Sequence, residues 1–162
     1  MIDGAGRLVY PLDMHSRMMG VMGERIYVNG TANAVFEAAA GPLRLRLLNG
    51  SNARFYTFSL EGDRPMQLIA SDGGLLAAPS EVRSLTLAPG ERGQVIVDLS
   101  EGRPLRLIAS SPANAMGMMG GQGGGMMGGG MMGNRADRER QGRTFSILDM
   151  CPSGAGTPVT LP

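Results

Sequence analysis

Leu43-Arg44-Leu45-Arg46-Leu47 decides the fold class of this chain of 162 residues. Leucine and arginine alternate strictly, which is the period of a β-strand with one face buried and the other in water. Asn49-Gly50 follows at once and has the composition of a turn. The stretch therefore predicts a half-buried strand that ends at a turn.

The same pattern recurs on both sides of this strand. Short alternating or apolar runs bounded by Gly, Pro, Asn and Asp predict further strands at residues 26–28, 55–60, 66–70, 82–87, 94–99, 105–109 and 145–148. About eight short strands spaced near ten residues apart are typical of an antiparallel sandwich or barrel. The best helical candidate, residues 14–22, is about two turns long. The chain is therefore predicted to be all-β.

Charge and hydropathy exclude several functions. Fifteen basic and fourteen acidic residues are interspersed, for a net charge of +1, and this argues against a nucleic-acid partner. No apolar run approaches the roughly 20 residues that a membrane-spanning helix needs. The first ten residues, MIDGAGRLVY, do not read as a signal peptide.

Histidine and cysteine are scarce. The chain contains one His, His15, and one Cys, Cys151. These counts exclude an internal disulfide, a site with two His ligands and a blue-copper site of Cys plus two His built from this chain alone. A Cys–His catalytic pair is formally open. Cys151, however, precedes Pro152 and has no adjacent cation that would activate its thiol, so we interpret it as an ordinary thiol.

Residues 115–134 read AMGMMGGQGGGMMGGGMMGN. Seven of the 14 methionines and ten glycines fall within this tract. Glycine loses the most conformational entropy on ordering, and burial cannot repay that loss here. We therefore predict a flexible loop, inserted between the last two strands and followed by the charged run NRADRERQGR.

Three motifs carry a resemblance to a known family. They are LRLRLLNGSNAR at residues 43–54, IASDGGLL at residues 69–76 and APGERGQVIVD at residues 88–98. In this order and spacing they resemble the middle cupredoxin domain of three-domain bacterial multicopper oxidases of the copper-efflux oxidase and laccase type. The approach GERIYVNG at residues 23–30 fits as well. The resemblance covers most of residues 4–107 and resumes at residues 145–150.

The resemblance implies a Greek-key β-sandwich or barrel of the cupredoxin type. Residues 1–114 and 143–151 would form this domain, residues 115–142 the insertion and residues 152–162 a linker tail. It also implies a periplasmic or exported parent whose first and third cupredoxin domains carry the copper ligands. The chain is accordingly expected to act as a scaffold between those domains, inactive by itself, in a parent that oxidises Cu(I) or phenols with dioxygen.

The methionine tract is a candidate Cu(I) site. Thioether sulfur is soft, neutral and prefers Cu(I), and glycine gives the backbone freedom to gather several sulfurs on one ion. The candidate ligands are Met116, Met118, Met119, Met126, Met127, Met131 and Met132. The alternative is a low-complexity tract without function.

A second soft cluster precedes the first strand. Met14, Met18 and Met22 would share one face of a short helix, with His15 beside them and Met19 close by. This arrangement would make a second copper site. The interpretation that we favour is a plug of core-filling methionines.

Four charged residues flank the turns of the three motifs, namely Arg54, Asp72, Glu91 and Arg92. We hypothesise that at least one Arg–carboxylate pair among them joins loops at one end of the sandwich. The alternative is that all four are solvated surface charges, since exposed pairs contribute only about 0–1 kcal/mol.

Two other functions remain open beside membership of an oxidase. One is an autonomous Cu(I)-binding module for copper tolerance. The other is a structural interaction domain without metal. An open sheet edge would also invite pairing with a second copy of the chain.

Overall fold

The computed structural model describes residues 3–7, 9, 13–14, 20–21, 23–111 and 143–154. Their regular structure consists of nine β-strands. In chain order these are β1 (Ala34–Ala38), β2 (Pro42–Leu48), β3 (Tyr56–Leu60), β4 (Met66–Ser71), β5 (Gly74–Val82), β6 (Ser84–Leu87), β7 (Arg92–Asp98), β8 (Leu105–Ser110) and β9 (Thr144–Pro152). The all-β prediction is confirmed.

The strands form two sheets that pack as a sandwich of the cupredoxin type. One sheet has five strands in the order β1-β9-β8-β3-β6, and the other has four in the order β2-β7-β4-β5. Strand β1 runs parallel to β9, and every other neighbouring pair is antiparallel. Strands β1, β2, β5 and β6 are the sheet edges.

The core lies between the sheets and follows the alternation seen in the sequence. Val95 and Val97 of β7 are fully buried, while the neighbouring Gln94 and Ile96 are half-buried. The largest fully buried side chains come from both sheets: Leu60, Met66, Leu99, Leu107 and Met150, with these two valines. Burial of aliphatic side chains of this size stabilises the fold by about 1.5–3 kcal/mol each.

Glycine is required where β6 crosses close to β7. A Cβ atom on Gly93 would lie 2.7 Å from Cδ2 of Leu85. Gly93 pairs with Leu47 of β2 in the four-stranded sheet, whereas Leu85 belongs to the five-stranded sheet. The missing side chain thus lets the two sheets approach at this point.

The sequence pattern did not predict two of the strands, β1 and β5. Strand β1 is short and lacks alternation, and β5 is exposed along nearly its whole length, so neither has the pattern of a half-buried strand. The strand predicted at residues 26–28 is wrong: only Val28 is bridged there, to Thr31, around the turn Asn29-Gly30.

The strand predicted at residues 82–87 is in fact a corner between the sheets. Strand β5 ends at Val82 in the four-stranded sheet, and β6 begins at Ser84 in the five-stranded sheet. Arg83 lies between them, and its Nη1 donates to Oδ2 of Asp63 at 3.2 Å. Apolar and polar residues are interspersed throughout residues 82–87 (VRSLTL), so the sequence pattern alone does not reveal the change of sheet.

The helix predicted at residues 14–22 and the methionine tract lie almost wholly outside the described residues. In the described part of the chain, no helix has the length and apolar character needed to span a bilayer.

Candidate functional site

The three sequence motifs meet at one end of the sandwich. The backbone N–H of Asn49 donates to the carbonyl of Glu91 at 3.0 Å, and the N–H of Gly90 donates to the carbonyl of Asn49 at 2.8 Å. These two bonds join the loop after β2 to the turn before β7. We call residues 49–54 with residues 87–92 the loop junction.

Asn49 holds the loop junction together through its side chain. The residue is 2% exposed, and its Nδ2 donates to the carbonyls of Arg54 at 2.7 Å and Leu87 at 2.9 Å. Its Oδ1 accepts from the N–H of Ser51 at 3.1 Å and from the Ser51 hydroxyl at 2.7 Å. A buried amide with all these partners fixes the path of the loop.

Sequence reasoning assigned the wrong role to this asparagine. The composition of the turns Asn49-Gly50 and Asp72-Gly73-Gly74 predicts residues with a positive φ between the strands. Among these five, only Gly74 has a positive φ, 127°. Asn49 acts instead as a buried hydrogen-bonding residue, and the signal for that role is its place between a half-buried strand and a Ser two positions on, the pattern of an Asx turn.

The hypothesised Arg–carboxylate pair is present in the structure. The carboxylate of Asp72 accepts from the backbone N–H of Arg92 at 3.1 and 3.2 Å. The guanidinium of Arg92 lies 3.6 Å from Oδ1 of the same carboxylate. The turn between β4 and β5 is thereby joined to the first residue of β7.

The other two flagged charges take different roles. Oε2 of Glu91 accepts from the backbone N–H of Ala88 at 2.6 Å, which closes its own turn. Arg54 is 4% exposed, and its guanidinium lies 4.9 Å from the centre of the Phe145 ring and 6.0 Å from that of Tyr56. Its Nε has no hydrogen-bond partner in the described structure. The alternative that all four residues are solvated surface charges is therefore wrong for Arg54.

A second charged cluster lies on the strands β8 and β9. Arg106 forms a two-point pair with Asp149, with Nη2 to Oδ2 at 3.2 Å, and lies 3.8 Å from Glu61. The hydrogen bond from Arg106 lowers the pKa of Asp149 below its ordinary value of 3.8. An open crevice beside this pair is lined by Glu61, Arg64, Arg103, Pro104, Leu105 and Arg106.

Charges in this cluster compensate one another. Glu101 accepts from Arg103 at 2.6 Å and lies 3.2 Å from Arg64. The hydrogen bond and charge of Arg103 lower the pKa of Glu101, with a further contribution from Arg64. The three arginines Arg64, Arg103 and Arg106 therefore pair with Glu61, Glu101 and Asp149, and the charge of Asp98 also acts on Arg64 and Glu101.

The described residues do not fit an oxidising copper centre. Among them, no group of three His, Cys, Asp or Glu side chains is close enough to hold a metal ion. Cys151 is half-buried on β9 and pairs in register with Glu37. Met66 and Met150 are 1% and 0% exposed and pack in the core, so their sulfurs serve as packing atoms.

The methionine candidates lie elsewhere. All seven, Met116, Met118, Met119, Met126, Met127, Met131 and Met132, are outside the described residues. Of the second cluster only Met14 is described, and it is 74% exposed. His15, Met18, Met19 and Met22 are outside the description as well.

A two-sheet sandwich with these three joined motifs defines a cupredoxin-like domain, and sequence comparison gives its family. The multicopper oxidase profile matches residues 4–106. The chain belongs to the multicopper oxidase family, as the sequence motifs predicted.

Curated relatives share more than 40% sequence identity with this chain over the matched residues. The cell division protein FtsP of Yersinia pestis is 44% identical over 102 residues, which is 63% of this chain and 22% of that protein. The FtsP of Proteus mirabilis is 41% identical over 120 residues, which is 74% of this chain and 25% of that protein. The chain therefore spans about a fifth to a quarter of the length of these relatives.

Solved structures give the same fold. A laccase-like multicopper oxidase, CueO from Ochrobactrum sp., superposes with a TM-score of 0.71 at 28% identity, covering 94% of this chain and 29% of that one. The multicopper oxidase McoA of Aquifex aeolicus superposes with a TM-score of 0.70 at 27% identity, covering 96% of this chain and 30% of that one. Each of these chains is thus about three times longer than this one.

Proposed function

We propose that this chain is the middle, non-catalytic cupredoxin domain of a longer protein, and that it holds two neighbouring cupredoxin domains in position. The observation that carries the proposal is a multicopper oxidase sandwich whose sequence has a single His and a single Cys. An electron-transfer copper site of Cys plus two His needs more imidazoles than this chain has. The copper chemistry of the parent would then reside in its other domains.

The loop junction supports a scaffold role. Asn49, Asp72 and Arg92 fix three turns at one end of the sandwich with hydrogen bonds of 2.7–3.2 Å. A domain that orients its neighbours needs rigid loops, because a shift of about 1 Å between catalytic groups can cost a factor of about 100 in rate.

The proposal includes a division of the chain. Residues 1–114 and 143–151 form the sandwich, residues 115–142 are an insertion between β8 and β9, and residues 152–162 begin at the last residue of β9 and lead to the next domain. The parent is placed in the periplasm or outside the cell, as the resemblance to copper-efflux oxidases implies.

The test is a comparison of the 162-residue chain with the complete gene product that contains it. We expect the complete product to bind copper and to consume dioxygen with Cu(I) or a phenol. The chain alone should do neither at a catalytic centre. A complete product that lacks oxidase activity when loaded with copper would contradict the oxidase parent but leave the scaffold role in place.

A second candidate for the parent is a structural cell-division protein. The curated relatives at 41–46% identity carry the name cell division protein FtsP, whereas the two copper oxidase structures compared above are 27–28% identical. In this case the chain would be a scaffold in a protein without oxidase activity. Deletion of the gene, scored for filamentous cells and for copper sensitivity, separates the two parents.

We also propose that the methionine tract collects Cu(I). The support is the composition of the tract, in which glycines separate single or paired methionines, namely Met116, Met118, Met119, Met126, Met127, Met131 and Met132. Titration with Cu(I) against a competing chelator should show fewer Cu(I) ions bound per chain when residues 115–134 are deleted. Unchanged copper stoichiometry would contradict the collector and favour a purely structural domain.

A further inference from the structure

Strand β5 exposes an apolar surface that the sandwich does not use. Eight of its nine residues are exposed, and residues 74–80 carry no charge. Leu75 is 74% exposed and Leu76 is 37% exposed. A strand normally buries at least one face against another layer, so a strand exposed on both faces lacks a partner.

The pairing of β5 with β4 shows where this surface comes from. Leu68 pairs with Ser80, and Ala70 pairs with Leu75, so two steps along β4 correspond to five along β5. Residues 76–79, Leu-Ala-Ala-Pro, therefore bulge away from the sheet. We call residues 75–79 the β5 bulge.

Leu75 lies on the core side of its sheet but outside the core. Its register partner Ala70 is 1% exposed, and paired residues of an antiparallel ladder share a face. The opposite sheet ends at β6 and leaves Leu75 uncovered. An inward-facing leucine that is 74% exposed marks a place where the hydrophobic core is open to a further layer.

We propose that the β5 bulge is the surface on which a neighbouring cupredoxin domain of the same polypeptide packs. This inference rests on the proposed scaffold function and names one of its contact surfaces. The structural relatives whose match covers 94–96% of this chain are about three times as long. Their additional length provides further domains, and one of these is the partner that we propose. Because the bulge is uncharged, the facing surface of that domain is expected to be apolar.

The geometry of β5 argues against a second copy of the chain as the occupant. Edge-to-edge pairing needs a continuous row of free N–H and C=O groups. The bulge displaces residues 76–79 from that row, and Pro79 has no N–H to donate. The surface is therefore suited to side-chain packing and poorly suited to strand addition.

The test uses hydrogen exchange on the 162-residue chain and on the complete gene product. We expect the amides of residues 74–78 to exchange at least about tenfold more slowly in the complete product, because packing removes them from water. Equal exchange in the two proteins would overturn the inference, as would protection that depends on dimerisation of the isolated chain.

Substitutions identify the side chains. The double variant Leu75→Glu/Leu76→Glu should leave the melting temperature of the isolated chain nearly unchanged, because both side chains already contact water. In the complete product it should abolish the tenfold protection. Leu48→Glu is the matched control, since Leu48 is 56% exposed on the edge strand β2, and it should leave the protection intact.

Failure of this inference is distinct from failure of the scaffold function. If residues 74–78 stay unprotected while the isolated chain lacks oxidase activity, the scaffold role stands and the β5 bulge is not its contact surface. If the isolated chain is itself an oxidase, the scaffold role fails whatever the exchange rates are.

Discussion

The guanidinium carbon of Arg54 lies 4.9 Å from the centre of the Phe145 ring, and this stacking joins the loop after β2 to the start of β9. Arg54 is almost completely buried, and no carboxylate in the described structure forms an ion pair with it. The faces of aromatic rings carry negative potential and attract such a cation. The loop junction is therefore held by a ring–cation contact as well as by the amide of Asn49.

Shortening Arg54 tests this contact. Arg54→Ala should lower the free energy of unfolding by about 2–4 kcal/mol, because it removes a buried stem and the cation over Phe145. Arg54→Met keeps most of the volume and removes a buried charge whose Nε is unpartnered, so it should cost less than about 1.5 kcal/mol. Urea denaturation measures both values. A methionine variant as unstable as the alanine variant would show that the charge itself is needed.

Asn49 provides a second prediction. Asn49→Ala leaves the carbonyls of Arg54 and Leu87 without their buried donor, and should lower the free energy of unfolding by about 2–4 kcal/mol. Asn52→Ala is the matched control, because Asn52 is exposed in the same loop, and it should cost less than about 0.5 kcal/mol. Urea denaturation measures both values. An equal loss of unfolding free energy in the two variants would contradict the conclusion that Asn49 holds the loop junction together.

The pair Asp72–Arg92 gives an asymmetric prediction. Asp72 accepts from the backbone N–H of Arg92, so Asp72→Ala should lower the free energy of unfolding by about 0.5–1.5 kcal/mol. Arg92→Ala keeps that N–H and loses only an exposed ion pair, so it should cost less than about 0.5 kcal/mol. Thermal melting of both variants tests this difference in stability. An Asp72→Ala variant with an unchanged melting temperature would contradict the conclusion that Asp72 joins the two loops.

Acid titration tests the pair of Arg106 and Asp149. Since the folded state holds the pKa of Asp149 below 3.8, its contribution to stability is present above that pH and is lost as the pH falls through the folded value. At pH 7, Asp149→Asn should have a lower melting temperature than the unmodified chain, and this difference in melting temperature should shrink below about pH 4. Melting curves between pH 7 and 2 measure it.

Glu37→Gln is a suitable control for this experiment. Glu37 is exposed on β1, and within the described structure it forms no ion pair. Its melting temperature should follow that of the unmodified chain from neutral to acid pH. Salt at 1 M should reduce the difference for Asp149→Asn, because the pair is exposed and screened. A difference that is constant across the acid range would contradict the shifted pKa.

Sequence patterns predicted the strands that bury one face. Strands β2, β3, β4, β7 and β8 begin or end within two residues of the predicted bounds, because alternation reports a half-buried surface directly. Strand β9 extends beyond residues 145–148 to Pro152, since its later residues pair with β1. Strand β5 could not be found this way, because its side chains face solvent and the strand exists through backbone pairing with β4.

The contacts at the loop junction were only partly predictable. The charged residues that flank the motif turns predicted at least one Arg–carboxylate pair without saying which, and the structure contains the pair of Asp72 and Arg92. The stacking of Arg54 on Phe145 joins residues 91 positions apart, and nothing in the local sequence of either residue reports it. Burial of Asn49 likewise depends on the turn before β7, which lies about 40 residues further along the chain.

Dioxygen uptake by the purified 162-residue chain tests most directly whether this sandwich works only as a framework. The chain is loaded with cupric salt and offered Cu(I) or a phenol in an oxygen electrode, with its visible absorption recorded. We expect no blue colour and no uptake above that of free copper, because one imidazole and one thiol cannot complete the centre. Blue colour together with catalytic oxygen consumption would contradict a supporting role for this domain.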